Sequence, residues 1–253
     1  MPLTVRQFPC LSDNYGFLIR DDASGATACI DTPDARAILA ELAKAGWSLD
    51  FILNTHWHPD HAGGNAEIKA ATGACIVGPA EVTRIAPLDR TVVGGDLVDL
   101  GETQFTVIDS GGHTLGHITY YDGADHIAFV GDTLFALGCG RLFEGTAEQM
   151  WTSLQRLAAL PDDTRVYCAH EYTASNARFA LSVDDDPALR RRADAVFAAR
   201  ERGEPTVPTT IGLEKATNPF LRAPALASRV GKAGAQDYEA FGAVRAAKDG
   251  FRG

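Results

Sequence analysis

The chain has 253 residues, of which 45% are apolar and 22% charged, and its formal net charge is −10. This composition is typical of one or two globular domains; the acidic balance argues against a nucleic-acid partner, and no apolar run reaches the roughly 18 residues of a membrane span. The start has no basic region followed by an apolar run and the five cysteines form no CxxC pair, so we expect a cytoplasmic protein without a disulfide framework.

Short apolar runs separated by Gly, Asp and Pro predict strands along the first two thirds of the chain. They lie at 3–8, 15–20, 27–30, 51–54, 74–78, 104–109, 118–121, 126–131 and 165–169. Apolar residues at helical spacing predict helices at 34–47, 65–73 and 146–160. Strands mixed with helices, several of them in direct succession, favour two mixed β-sheets with helices outside them.

The character of the sequence changes near residue 173, after which no strand is predicted. Helices are predicted at 176–183, 188–203 and 236–251, and a proline-rich loop at 206–222. We therefore expect an α/β domain over residues 1–172 and a small helical domain over residues 173–253.

The stretch NTHWHPDHAGG places three of the seven histidines directly after a predicted strand. Imidazole nitrogens and carboxylate oxygens are ligands that suit Zn, Fe and Mn. His56 and His58 are two residues apart, so in an extended segment they point to the same side. Asp60 and His61 come after Pro59, which changes the chain direction. Four such side chains fit two adjacent metal ions better than one.

Three more potential ligands also follow predicted strands: His113 in SGGHTLGH, Asp132 in FVGDTLF and His170 in YCAHEYT. Side chains at strand ends can meet at one edge of a sheet, so together with the first cluster they predict a two-metal site. Asp31 and His117 are candidates for orienting a ligand rather than binding metal. For His117, an ordinary hydrogen-bonded role remains an alternative.

The motifs THWHPDH, GHTLGH, GDTLF and AHEYT, in this order, resemble those of the metallo-β-lactamase superfamily. The segments GCGRLFEGT, NPFLR and AVRAAKD extend the resemblance over essentially the whole chain and narrow it to the hydroxyacylglutathione hydrolase (glyoxalase II) family. The resemblance implies a four-layer αββα sandwich of two mixed β-sheets, the metallo-β-lactamase fold, with a small C-terminal all-α domain.

The resemblance also assigns the metal ligands, in two sets of three with one shared carboxylate: His56, His58 and His113 for one metal, Asp60, His61 and His170 for the other, and Asp132 bridging both. It implies two divalent metal ions per chain, with zinc favoured and iron or manganese as alternatives. The nucleophile would be a hydroxide held by Asp132 and the two metals, with no separate protein nucleophile.

The implied reaction is hydrolysis of a small-molecule glutathione thioester, S-D-lactoylglutathione, to D-lactate and glutathione in methylglyoxal detoxification. The implied protein is a monomer that needs neither nucleic acid nor membrane.

Phe143 stands where the family usually has Tyr, and Leu142 stands where an aromatic residue is commoner. These two differences affect the affinity for glutathione rather than the chemistry. The resemblance places the glutathione contacts at Arg141, Phe143, Tyr172, Arg245 and Lys248.

Two alternatives remain open from the sequence. One is another enzyme of the same fold: a different thioesterase, a lactonase or a persulfide dioxygenase that uses a single iron. A single-iron site would leave Asp60, His61 and His170 without an ion. The other is a non-catalytic metal-binding module, which is disfavoured because a purely structural site is usually closed by four ligands.

Overall fold

The computed structural model describes residues 3–253. The chain folds as two compact units, each built from two separate stretches of sequence. Unit 1 contains the residues up to Asp109 together with Gly116–Gly131, and unit 2 contains Ser110–Leu115 and Asp132–Gly253. The compact units thus divide the chain elsewhere than at residue 172, and the domain boundary proposed from the sequence stays a prediction.

A six-stranded sheet and three helices make up the first part of unit 1. Its strands are β1 (Leu3–Cys10), β2 (Asn14–Asp21), β3 (Thr27–Ile30), β4 (Phe51–Leu53), β5 (Cys75–Gly78) and β6 (Arg90–Thr91). The helices are α1 (Ala35–Ala45), α2 (Pro59–Ala62) and α3 (Asn65–Thr72). The pairings from β1 to β3 are antiparallel and those from β3 to β6 parallel. This sheet is therefore mixed, as predicted.

A second set of strands in unit 1 faces the first sheet. It consists of β7 (Leu97–Leu100), β8 (Thr103–Asp109), β9 (Ile118–Asp122) and β10 (Ile127–Gly131), paired antiparallel in sequence order. The Phe129 ring lies 5.7 Å from that of Phe17, and the Tyr120 hydroxyl donates to the Asn54 carbonyl at 2.9 Å. On the other face of the first sheet, Ile38 of α1 and Ile68 of α3 are fully buried in one apolar cluster. The loop between β4 and α2 therefore begins at a strand that is packed on both faces of the sheet.

Unit 2 is mainly helical. Its elements are β11 (Leu134–Phe135), β12 (Gly138–Cys139), α4 (Ala147–Ala158), β13 (Arg165–Cys168), α5 (Thr173–Val183), α6 (Pro187–Glu201), β14 (Thr209–Thr210), α7 (Ile211–Thr217), α8 (Ala223–Leu226) and α9 (Asp237–Gly250). The β11–β12 and β13–β14 pairs are antiparallel. The buried rings of Phe179, Phe220 and Phe241 form its aromatic core.

The predicted fold class, mixed sheets with helices and a helical C-terminal region, is confirmed. The loop predicted at 206–222 is wrong in part, because it contains β14 and α7. Thr210 explains why a helix begins there, since its side chain accepts a hydrogen bond from the Leu213 amide and caps α7. None of the helices in the described part of the chain combines the length and the hydropathy that a membrane span needs.

Gly131 provides a test of the local packing at the end of β10. Its φ is +47°, and a Cβ there would lie 2.6 Å from both His117 Nε2 and Thr55 Oγ1. Gly46 also has positive φ, +67°, but a Cβ there meets nothing within 4 Å. We expect Gly131→Ala to lower the free energy of unfolding by about 3 kcal/mol and Gly46→Ala by about 1 kcal/mol. Urea unfolding followed by circular dichroism measures both, and equal losses would contradict the packing.

Candidate active site

In unit 1, the loop between β4 and α2 brings two imidazoles together. His56 Nε2 lies 3.1 Å from His58 Nδ1, and His56 is fully buried. Two nitrogens bound at 2.0–2.1 Å to one tetrahedral zinc ion would be about 3.3 Å apart. The spacing of this pair therefore fits two ligands of a single ion.

The second pair of unit 1 lies on the short helix α2. Asp60 Oδ2 is 3.6 Å from His61 Nε2, and His61 is 1% exposed. His61 Nδ1 donates to Asp31 Oδ2 at 2.8 Å. With the proton on Nδ1, the lone pair of His61 is on Nε2, which faces Asp60, so this pair also has the donor atoms and spacing of two ligands of one ion.

Asp31 follows β3 and has both carboxylate oxygens engaged by protein groups. Oδ1 accepts from the Thr55 amide at 2.8 Å, while Oδ2 accepts from the Thr55 hydroxyl at 2.7 Å and from His61. Its ligand atom lies within 4.8 Å of those of His56 and His61. The hydrogen bonds favour the predicted orienting role, because carboxylates that fix a ligating imidazole are a regular part of metal sites.

Asn14, at the start of β2, is a further part of the unit 1 site and is not among the predicted residues. It is 5% exposed, and its Nδ2 donates to Asp60 Oδ2 at 3.2 Å and to the Asp60 carbonyl at 3.4 Å. Nothing in the sequence SDNYG points to a partner 46 residues away. Asn14 therefore fixes the Asp60 carboxylate from a distant strand.

In unit 2, one carboxylate stands between two imidazoles. Asp132 Oδ2 is 3.3 Å from His113 Nε2, and Asp132 Oδ1 is 3.4 Å from His170 Nε2. All three side chains are buried. His113 Nδ1 donates to the Arg141 carbonyl at 2.9 Å, which leaves the lone pair of His113 on Nε2. Each oxygen of Asp132 thus faces its own imidazole, an arrangement that is compatible with the predicted bridging carboxylate.

Unit 2 also contains a cavity of about 480 Å³, whose lining includes His113 and Asp132. Two aromatic rings in its lining pack on the unit 2 histidines: Tyr172 stacks on His170 at 4.7 Å, and Phe143 meets His113 edge-on at 5.2 Å. The lining includes two predicted metal ligands and all five residues predicted to contact glutathione: His113, Asp132, Arg141, Phe143, Tyr172, Arg245 and Lys248.

Two cations of the cavity come from α9 and are held by the protein. Arg245 is 5% exposed and its Nη1 donates to the Cys139 carbonyl at 2.9 Å. Lys248 Nζ donates to the carbonyl and hydroxyl oxygens of Ser175 at 3.1 and 3.2 Å. Burial, together with the positive charges of Arg245 and Arg141, lowers the pKa of Lys248 to about 8. The positive charge that Lys248 contributes to the cavity is therefore lost as the pH rises through about 8.

The β11–β12 hairpin, which connects Asp132 to Arg141, is held by buried side chains of the helical region. Asn218 Nδ2 donates to the carbonyls of Phe135 and Gly138 at 3.2 and 2.9 Å. Glu214 Oε2 accepts from the Leu137 amide at 2.9 Å. Both Asn218 and Glu214 are fully buried. The C-terminal helices therefore fix the backbone of this segment as well as lining the cavity.

Two family models match the chain, one after the other. The model described as "Metallo-beta-lactamase superfamily" matches residues 27–170, and the one described as "Hydroxyacylglutathione hydrolase C-terminus" matches residues 171–251. A hydroxyacylglutathione hydrolase of Maricaulis maris (strain MCS10) is 58% identical over 253 residues, covering 98% of this chain and 99% of the relative. The chain belongs to the hydroxyacylglutathione hydrolase family. Membership confirms the resemblance seen in the motifs and places the fold within the metallo-β-lactamase superfamily.

Solved structures agree on the fold. ETHE1 from Myxococcus xanthus is 26% identical with a TM-score of 0.67, over 97% of this chain and 98% of that one. TTHA1623, solved in a di-iron-bound form, is 25% identical with a TM-score of 0.63, over 86% of this chain and 100% of that one. The fold of this family therefore accommodates a two-metal centre in at least one related protein.

Asp31 provides a test of the orienting hydrogen bonds in unit 1. We expect Asp31→Asn to weaken the binding of zinc or iron by about 10- to 100-fold, because the one oxygen of an asparagine cannot accept from both the Thr55 amide and His61 Nδ1. Competition with a chromophoric chelator measures the metal affinity without an activity assay. Asp122→Asn is a matched control, since Asp122 is also buried in unit 1 but accepts hydrogen bonds from the turn amide of Ala124. Equal metal affinity in the two variants would refute the role of Asp31.

Proposed function

We propose that the chain is a binuclear metal-dependent thioester hydrolase that converts S-D-lactoylglutathione to D-lactate and glutathione. The observation that carries the proposal is the Asp132 carboxylate, with an imidazole at each oxygen, in the wall of a cavity that also contains three cations. A relative 58% identical over the whole chain is named for this activity. We also propose that the protein acts as a cytoplasmic monomer in methylglyoxal detoxification, without nucleic acid.

The donor sets support the predicted distribution of two ions. We propose that the His56–His58 pair and His113 hold one ion, and that the Asp60–His61 pair and His170 hold the other. The spacings within the pairs and around Asp132 lie between 3.1 and 3.6 Å, near the value of about 3.3 Å expected for neighbouring ligands of one ion. The nitrogen and oxygen donors suit zinc first, and also iron or manganese.

Two such ions, when bound to these residues, would lower the pKa of a bound water and would polarise the carbonyl oxygen of the substrate. The protein residues hold the reacting groups in place. Asp132 contributes the negative charge shared by the two ligand sets, and the Asp31–His61 hydrogen bond keeps one imidazole in the ligating tautomer. Tyr172 and Phe143 place aromatic rings beside the unit 2 histidines, where the thioester would lie.

The residues of the cavity support a reaction without a protein nucleophile or a strong general acid. Cys139 lines the cavity, but burial raises the pKa of its thiol to about 11, so it stays protonated and unreactive at neutral pH. The departing group is a thiolate whose conjugate thiol has an ordinary pKa of about 8.5, so it can leave without being protonated first. The chemistry therefore needs positioning and charge rather than an additional acid.

The cations of the cavity suit the two carboxylates of glutathione. Arg141 and Lys248 are the more accessible donors, whereas Arg245 is buried and already donates to the Cys139 carbonyl. We propose that Arg141 and Lys248 contact the ligand carboxylates directly. Arg245 contributes mainly charge, because its contacts with the protein fix its position.

The substrate is tested by a panel assay of the metal-loaded protein. We expect hydrolysis of S-D-lactoylglutathione, weaker hydrolysis of acyl thioesters on smaller thiols, and no turnover of a lactone or a persulfide. Removal of metal by chelation should abolish the activity, and added zinc or iron should restore it. If the metal-loaded protein has no thioesterase activity, the proposal is contradicted.

Lys248 predicts how substrate binding depends on pH. Its pKa is lowered to about 8, so its positive charge is present below that pH and is lost as the pH rises through it. We expect KM for S-D-lactoylglutathione to rise by about 3- to 10-fold between pH 7 and 9.5, because one carboxylate loses its cationic partner. In Lys248→Arg the charge persists over this range, so this component of the rise should disappear. A KM profile identical in the two proteins would contradict the contact.

A further inference from the structure

One carboxylate serves as counter-ion to all three cations of the cavity. Asp249, in the last turn of α9, accepts from Arg245 Nη2 at 2.9 Å, and the same oxygen lies 3.8 Å from Arg141 Nε. Its negative charge also acts on Lys248, where it raises the pKa against the lowering effect of both arginines. Asp249 is half exposed and is not among the residues predicted from the sequence.

The surroundings of Arg245 explain why such a counter-ion is present. Its guanidinium lies 4.9 Å above the ring of Phe220 and donates to one backbone carbonyl. Its Nε is buried without a hydrogen-bond partner among the described residues. A buried cation in such surroundings loses hydration, and a nearby carboxylate offsets that loss. Asp249, four residues further along the helix, lies on the same face and supplies this charge.

A ligand carboxylate that approaches these cations is attracted by them and repelled by Asp249. We propose that the negative charge of Asp249 weakens the binding of carboxylate-bearing thiol ligands to this cavity. The inference rests on the proposed function, because it takes glutathione as the ligand. Substrate and product both contain the glutathione carboxylates, so the repulsion acts on both and favours release of product. Asp249 thus stabilises the cations of the free protein at the expense of ligand affinity.

Three variants separate the charge of Asp249 from its hydrogen bond. Asp249→Asn removes the charge but keeps an oxygen that can accept from Arg245, whereas Asp249→Glu keeps the charge. Asp237→Asn removes the same charge from the exposed first turn of the same helix, 12 residues away, or about 18 Å along the axis. Thermal melting of each variant without ligand shows whether it is folded, and we expect the largest decrease in melting temperature for Asp249→Asn.

The decisive measurement is calorimetric binding of S-methylglutathione, a thioether that cannot be hydrolysed, to the metal-loaded proteins at low ionic strength. We expect Asp249→Asn to lower Kd by about 3- to 10-fold. The reason is that the substitution removes a partly solvated negative charge a few ångströms from the negatively charged ligand. Asp249→Glu should stay within about 2-fold of wild type and Asp237→Asn should match it. The gain in affinity should shrink in 1 M NaCl, where charges are screened within about 3 Å.

The possible failures are distinguishable. If wild type binds S-methylglutathione but Asp249→Asn has an unchanged or higher Kd, Asp249 only positions Arg245. The inference about its charge is then overturned, while the proposed substrate stands. The same holds if Asp249→Glu tightens binding as much as Asp249→Asn does, since the charge would then be irrelevant. If the wild-type protein does not bind S-methylglutathione, the proposed substrate is overturned and this inference with it.

Discussion

The site depends first on the orientation of the Asp132 carboxylate. Each of its oxygens faces the Nε2 atom of a different histidine, at 3.3 and 3.4 Å. A rotation of the side chain or a shift of the backbone would break both contacts. The preceding residue, Gly131, has a positive φ that an L side chain rarely adopts. The following hairpin is fixed by buried hydrogen bonds from Asn218 and Glu214. The backbone before and after Asp132 thus has a specific conformation, as the proposed shared carboxylate would need.

The histidines must be oriented as well, because an imidazole binds a metal best when its other ring nitrogen is fixed by a hydrogen bond. Asp31 accepts from His61 Nδ1. The carbonyl of Arg141 accepts from His113 Nδ1, and the Thr55 hydroxyl lies 3.0 Å from the Nδ1 atom of His56. Asp31 and Arg141 are distant in sequence from their histidines, whereas Thr55 directly precedes His56, and together these partners fix the tautomers before any metal binds. This arrangement lowers the conformational cost of metal binding and explains why so many buried polar groups surround the site.

The sequence predicted the parts of this account that are local. Ligand spacing in THWHPDH, and strands that end just before a ligand, need only a few consecutive residues. The two-residue strands β6, β11, β12 and β14 have no periodicity to detect, and prolines obscured α7. Asn14 and Asp249 were not predicted, because a polar residue acquires its role from a partner that only the fold provides. The interaction of Asn14 with Asp60 spans 46 residues, whereas Asp249 is near Arg245 in sequence but touches Arg141 only through folding. The family resemblance added the substrate, which residue spacing alone left open.

The central claim is that Asp132 serves two metal ions, one with each of its imidazole partners. It is tested most directly by anomalous X-ray diffraction from crystals of the metal-loaded protein, collected above and below the absorption edge of the metal. Our account predicts two peaks per chain, one within ligating distance of His113 Nε2 and Asp132 Oδ2, the other near His170 Nε2 and Asp132 Oδ1. A single peak at full metal loading, or two peaks of which only one contacts Asp132, would contradict it.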